Sequence, residues 1–167
     1  MAASNTNIKN EEKELYRIEI AVVDGANRAI DKYVAYMRKG EELIIGRQEN
    51  FSRNVDDLAV KVRKGGQSEP IYVFKHTIAR YGCPSGEPDC TSREHLILRI
   101  ENNRPVIYDR ATFYTAKVKP EEGFNLVEIL KKGIPYVLEP NNPLYLRLAG
   151  VYSPENKHNK RVCRKRV

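Results

Sequence analysis

Apolar and polar residues alternate with a two-residue period along several stretches of this 167-residue chain. In the stretch Leu15–Val23, Tyr16, Ile18, Ile20 and Val22 alternate with Arg17, Glu19 and Ala21, the pattern of a strand with one buried face. Residues 32–38 alternate again through Tyr33, Ala35 and Met37, after a turn at Asp24-Gly25-Ala26-Asn27 that suits a positive φ. Lys39-Gly40-Glu41-Glu42 predicts a tight connection into a short buried strand, Leu43-Ile44-Ile45, that ends at Gly46-Arg47. Three strands and two turns in so short a span predict a β-meander. A fourth strand follows through Leu58, Val60 and Val62.

Further strands are predicted at residues 96–100 and 105–109, joined by the turn Glu101-Asn102-Asn103-Arg104, and at residues 134–139 and 144–148. Pro105 opens its strand, where a missing N–H does least harm. Residues 112–119 read as a polar and aromatic loop with some strand content. Residues 124–132 read either as a short helix stopped by Gly133 or as a loop with buried anchors at Leu126, Val127, Ile129 and Leu130. Nine or ten short strands with regular turn punctuation predict an all-β, two-sheet β-sandwich. The body spans residues 15–150, with a flexible lead at 1–14 and a basic tail at 151–167. Residues 64–91 carry an Ile71-Tyr72-Val73-Phe74 strand signal but are otherwise polar and rich in turn residues, and they read as a long insertion.

Composition and charge narrow the class. With 41% hydrophobic and 31% charged residues the chain is that of an ordinary folded domain, long enough to bury a core without a metal or a staple. No apolar run is long enough to span a membrane, and the start lacks a basic, then apolar, signal segment. The expected compartment is the cytoplasm, or the nucleus in a cell that has one. The net charge of +7 is concentrated in the tail. Lys157, Lys160, Arg161, Arg164, Lys165 and Arg166 all follow the last acidic residue, Glu155; removing these six from 29 bases leaves 23, against 22 acids. Any basic face on the body must therefore come from local clustering. The tail itself is a solvated end, or a weak, non-specific contact for nucleic acid; it carries no aromatic after Tyr152 to stack on bases.

The chemistry that stands out lies where a loop enters the strand at residues 96–100. Thr91, Ser92 and Arg93 combine short hydroxyl donors with a planar, permanently charged guanidinium, the donor set an anion such as a phosphate needs. Arg47, at the end of another strand, completes such a cradle. His95 reads as a brace for the loop, because no nucleophile, base and acid can be assembled around it. The reading is of binding, with no catalytic residue, no cofactor and no metal. Cys83 and Cys90 flank a compact Pro84-Ser85-Gly86-Glu87-Pro88-Asp89 bend. They read as free thiols, as a disulfide, or as part of a zinc site with His76 or Cys163.

Gly46-Arg47, then Ser92-Arg93-Glu94-His95, then Asp109 followed by Thr112, in this order in an all-β chain, resembles the forkhead-associated (FHA) domain. The closing stretch with Gly133, Tyr136, Leu138 and Leu146 resembles that family's last strands. The similarity covers residues 16–150. It implies a phosphothreonine-peptide reader on a two-sheet sandwich, holding a phosphothreonine-containing protein by loops at one end. By position Arg47 and Arg93 would contact the phosphate, Ser92 would donate its hydroxyl, and Thr112 would lie beside the threonine methyl. Gly46 and His95 would brace the site, and Thr91, Arg110, Phe113 and Tyr114 would lie within reach of the peptide. Two departures stand out. The family's Asn-Gly pair is replaced by Phe113 or Tyr114, and the gap between Arg47 and Ser92 is long. They leave two alternative readings beside the first: a degenerate FHA-like scaffold that binds a partner independently of phosphate, and a nucleic-acid-associated protein acting through its tail.

Overall fold

A computed structural model of the chain describes residues 7–8, 14–52, 55–79 and 90–152. Cys83, Cys163 and the basic residues of the tail lie outside the described residues, as does most of the N-terminal lead. The chain is all-β, as its alternation predicts. The described strands are β1 (Asn7–Ile8), β2 (Leu15–Val23), β3 (Ala29–Met37), β4 (Glu42–Gln48), β5 (Asp56–Lys64), β6 (Gln67–Ala79), β7 (Leu96–Glu101), β8 (Arg104–Asp109), β9 (Thr115–Lys119), β10 (Asn125–Ile129), β11 (Tyr136–Val137), β12 (Leu146–Leu148) and β13 (Val151–Tyr152). A single 3-10 turn, Pro120–Glu122, is the helical element among the described residues. None of them forms a helix long and apolar enough to cross a membrane.

The strands form a seven-stranded sheet in the order β11-β8-β7-β4-β5-β6-β13 and two three-stranded sheets, β1-β2-β3 and β10-β9-β12. All three contribute to one core. Ile18, Ile20, Ala35 and Met37 come from the first small sheet, Leu146 and Leu148 from the second, and Leu43, Ile45, Val60, Phe74, Leu96 and Leu98 from the large one. The two small sheets thus cover one face of the large sheet, the arrangement of a sandwich. Tyr33 stacks on Tyr72 with ring centroids 4.9 Å apart, and Asp31 accepts hydrogen bonds from the Tyr72 hydroxyl and the Lys75 N–H (2.8 Å), fastening β3 to β6.

Local chemistry explains the turns. Asn27 takes the positive φ (59°) of the β2–β3 connection, and the Asp24 carboxylate accepts the N–H groups of Ala26 and Arg28. Asn102 and Asn103, at φ 50° and 60°, make the two-residue hairpin between β7 and β8 that matches the strands' twist.

Several expectations are corrected. The first three strands are no meander: β2 pairs with β3, but β4 leaves for the other sheet and lies between β5 and β7. Within residues 64–91, which read as mainly turn-rich and polar, the strand signal at residues 71–74 is part of a 13-residue strand. This is β6, paired with β5 from Asp56↔Ala79 to Lys64↔Gln67, with Phe74, Ile78 and Ala79 buried. Residues 124–132 form neither a helix nor a loop of buried anchors. They hold β10, whose residues are all exposed, while Leu130 alone is buried. The body extends past residue 150, since Val151 and Tyr152 pair with Ala79 and Ile78. It also reaches into the lead, where Asn7 and Ile8 pair with Tyr16 and Leu15.

Candidate functional site

The site is built where β4 outruns β7. Their pairing ends at Ile45↔Leu96, and the loop that delivers β7 continues along β4 in its place. His95 N–H donates to Ile45 O (3.0 Å) and Arg47 N–H to Ser92 O (3.0 Å). The loop passes so close over Gly46 that a Cβ there would stand 2.0 Å from Arg93 O and 2.6 Å from Ser92 O. Only glycine fits. On its other side the loop lies against Gly150, at φ +75°, where a Cβ would stand 2.6 Å from Thr91 N. Thr91 is buried and donates its hydroxyl to Ala149 O (2.8 Å). Lys61, 3% exposed, reaches up from β5 and donates to Arg47 O (2.6 Å) and Arg93 O (3.2 Å). Burial, with the nearby Arg47 and Arg93 charges adding, lowers its pKa to about 8.

His95 is fully buried beneath the same loop. The Ser92 N–H donates to its Nδ1 (3.2 Å), so Nε2 carries the proton and meets Thr115 Oγ1 (3.1 Å). Thr115 in turn donates to Asp109 Oδ1 (3.0 Å), which also accepts the Ala111 N–H (3.0 Å). Lys132 closes the chain on Asp109 Oδ2 (3.1 Å) and on Phe113 O. One tautomer satisfies every link. Burial pushes the imidazole pKa down to about 4 against the pull of Asp109, so the ring is neutral near pH 7. This network joins the loop at residues 91–95 to the loop at residues 110–114, with Arg110 N–H donating to His95 O (3.0 Å) as a second tie.

The structure brings some sequence-predicted residues together and commits others elsewhere. Ser92 and Thr112 meet at the surface: Thr112 N–H donates to Ser92 Oγ (2.9 Å), and the two hydroxyl oxygens are 3.4 Å apart. Arg93, the next residue along the loop, has 64% of its side chain exposed and pairs with Glu49. Arg47 does not present an open guanidinium. Its side chain is 8% exposed, ion-paired to Asp56 (3.1 Å), near Glu49 (3.8 Å), and donating to Thr91 O (3.2 Å). It braces the loop from below. Thr91 is likewise a brace and not a surface contact. Arg110 is exposed, whereas Phe113 and Tyr114 are half-buried. The backbone carbonyls of Phe113 and Tyr114 accept from Lys132 and the Ala149 N–H and so hold the second loop down. Cys90 is disulfide-bonded, which removes the free-thiol reading for it. Among the described residues no cluster of three or more His, Cys, Asp or Glu side chains could hold a metal.

Lys61, Glu49 and Asp56 are the members that sequence reasoning missed. Alternation with Leu58, Val60 and Val62 marks Lys61 as outward-facing, and it is; the loop at residues 92–94 then buries it. The acidic partners of Arg47 and Arg93 stand two and nine residues past Arg47 and carry no motif. No family model, no curated protein and no solved structure matches the chain.

Proposed function

We propose that the chain is a non-catalytic interaction module that holds a phosphothreonine-type group on a partner protein, using Ser92, Arg93 and Thr112. The observation that carries this reading is the preformed pair of Ser92 and Thr112, fixed at the surface over a neutral, buried brace, with an exposed arginine as the next residue of the loop. Such a site needs little ordering when a ligand arrives, which is where affinity is usually lost. Ser92 Oγ–H would turn toward a phosphate oxygen, and Arg93 would exchange the Glu49 carboxylate for the phosphate. Hydrogen bonds to a charged acceptor of this kind contribute about 1.5–3 kcal/mol each. Arg47 supports the site through the loop it braces, since its own donors are committed.

Fluorescence polarisation with paired phosphothreonine and threonine peptide libraries tests the reading. Phosphorylated peptides should bind selectively, and Ser92→Ala and Arg93→Ala should each weaken that binding about tenfold or more while leaving the fold intact. Equal binding of phosphorylated and unphosphorylated peptides sinks it.

A second reading, capture of a partner without phosphate, is favoured by the engagement of Arg47 with Asp56. It predicts that phosphatase treatment of the partner and the Ser92→Ala change both leave binding unaltered.

A further inference from the structure

An open sheet ends in strands with one unpaired edge, and such edges are ordinarily short, charged or covered. Here the sheets end in β1 and β3, in β10 and β12, and in β11 and β13. β1, β11 and β13 are two residues long, and β12 is three with Leu146 and Leu148 buried. β3 is longer, but its Asp31 fastens it to β6. β10 is different. It runs five residues, its backbone pairs with β9 alone among the described residues, and Leu126, Val127 and Ile129 are 43–49% exposed. Val127 is the extra residue of the bulge and has no partner across on β9.

Both ends of this strand are anchored. Just before it, Arg147 donates to Phe124 O (2.6 Å). Just after it, Leu130 is buried with its N–H donating to Thr115 O (2.8 Å), and Lys132 pairs with Asp109. The edge is therefore held in place and needs little ordering to accept another strand. The flanking charges say which strand. Glu121 lies five residues before Leu126 and Lys131 five residues after it; both are exposed, and neither is ion-paired among the described residues. A second copy of β10 laid antiparallel against the first, centred at Leu126, brings Glu121 of each copy towards Lys131 of the other and gathers Leu126 and Val127 of both at the middle. A parallel copy would set like charges together. The strand is thus complementary to itself in one direction only, and the contact closes on a two-fold axis with no free edge of β10 left.

We infer that β10 is a homodimer interface, at which the β10-β9-β12 sheets of two copies join edge to edge into one six-stranded sheet. None of the candidate-site residues takes part, so the dimer presents two copies of that site. Sedimentation velocity of the full chain across roughly 1–200 μM tests the inference. The wild type should pass from monomer to dimer over this range. Leu126→Lys with Val127→Lys should hold the chain monomeric with an unchanged far-ultraviolet circular dichroism spectrum, since both positions are exposed. Glu121→Lys alone and Lys131→Glu alone should each weaken the dimer about tenfold, because the two-fold axis counts every exposed pair twice and each reversal adds repulsion. The two single variants mixed together, or both changes in one chain, should restore the wild-type association. A wild type that stays monomeric across this range, a dimer that survives the two lysines, or a double reversal no tighter than either single variant overturns the inference.

Discussion

Acid should unlock the candidate site before it unfolds the strands around it, and His95 is the lever. In the folded chain its imidazole is fully buried and accepts a hydrogen bond at Nδ1 from the Ser92 N–H. Protonation would put a charge in a dry site and remove that acceptor. The group titrates near 6.5 when unfolded and at about 4 when folded. Between those values the unfolded chain binds the extra proton and the folded chain does not, so stability rises with pH across the window and is lost as the pH falls through it. At roughly 1.36 kcal/mol per pKa unit, the His95 contribution is intact at pH 7, lower by about 2 kcal/mol at pH 5 and by about 3 kcal/mol at pH 4. Other groups titrate in the same range, so the measurement is a difference against His95→Asn, whose side-chain oxygen can still accept the Ser92 N–H. The chain has ten tyrosines and no tryptophan, so urea unfolding can be followed by tyrosine fluorescence and far-ultraviolet circular dichroism. The variant should be less stable than the wild type at pH 7, and the gap should close by about 3 kcal/mol on going to pH 4. A gap that stays constant over that range refutes a neutral, buried His95.

Other perturbations separate bracing from binding. Gly46→Ala places a methyl 2.0 Å from Arg93 O and should cost about 3 kcal/mol or more in urea unfolding, or move the loop enough to alter the amide NMR shifts of Ser92 and Arg93. Arg47→Ala leaves Asp56 and Glu49 without their buried partner and should destabilise the chain by about 3 kcal/mol, with loss of cooperativity around the loop detectable by hydrogen exchange. Phe74→Ala should cost about 3–5 kcal/mol in urea unfolding, as the loss of a large side chain from the shared core does. Lys61 titrates at about 8 in the fold against 10.5 unfolded, so its burial cost is present below pH 8 and relieved above it. Measured against Lys61→Met, the wild type should gain about 2 kcal/mol between pH 7.5 and pH 9.5.

Alternation identifies strands where one face is buried and the register is regular, and it fails where either condition lapses. β2 has the bounds its pattern predicts because Tyr16, Ile18 and Ile20 all point into the core. β6 escapes the same test for two reasons. Its N-terminal half pairs on one side only and is almost wholly exposed, with a proline at residue 70, and bulges opposite Asp57/Leu58 and Val60/Lys61 shift its phase twice. β10 mimics a helix because Leu126, Val127, Ile129 and Leu130 have helical spacing; a bulge between Leu126 and Glu128 produces that spacing in a strand. Which sheet a strand joins is a long-range matter, and nothing in residues 15–47 announces that β4 parts from β3. The same limit applies to the site. Gly46, Ser92 and His95 are legible because close approach, a hydroxyl and an imidazole have local signatures. The ion pairs that occupy Arg47 and Arg93 are not legible, since nothing local marks Asp56 or Glu49 as their partners.

Those ion pairs bear directly on the proposed phosphate reading. Arg47 holds Asp56, Arg93 holds Glu49, and Lys132 holds Asp109, so these three cations are already matched by carboxylates. Only one of these matches is readily exchanged. Asp109 is fully buried and Arg47 nearly so, whereas the Arg93 side chain is 64% exposed and its pairing with Glu49 is a surface contact. Exposed pairs contribute little, about 0–1 kcal/mol, so under the proposed reading a doubly charged phosphate held by Ser92 would displace Glu49 from Arg93 at small cost. Displacing Asp56 from Arg47 would instead strand a partly buried carboxylate under the loop that carries Ser92. The structure thus divides the two arginines that look equivalent in sequence: Arg47 holds the platform, and Arg93 is free to change partners on it.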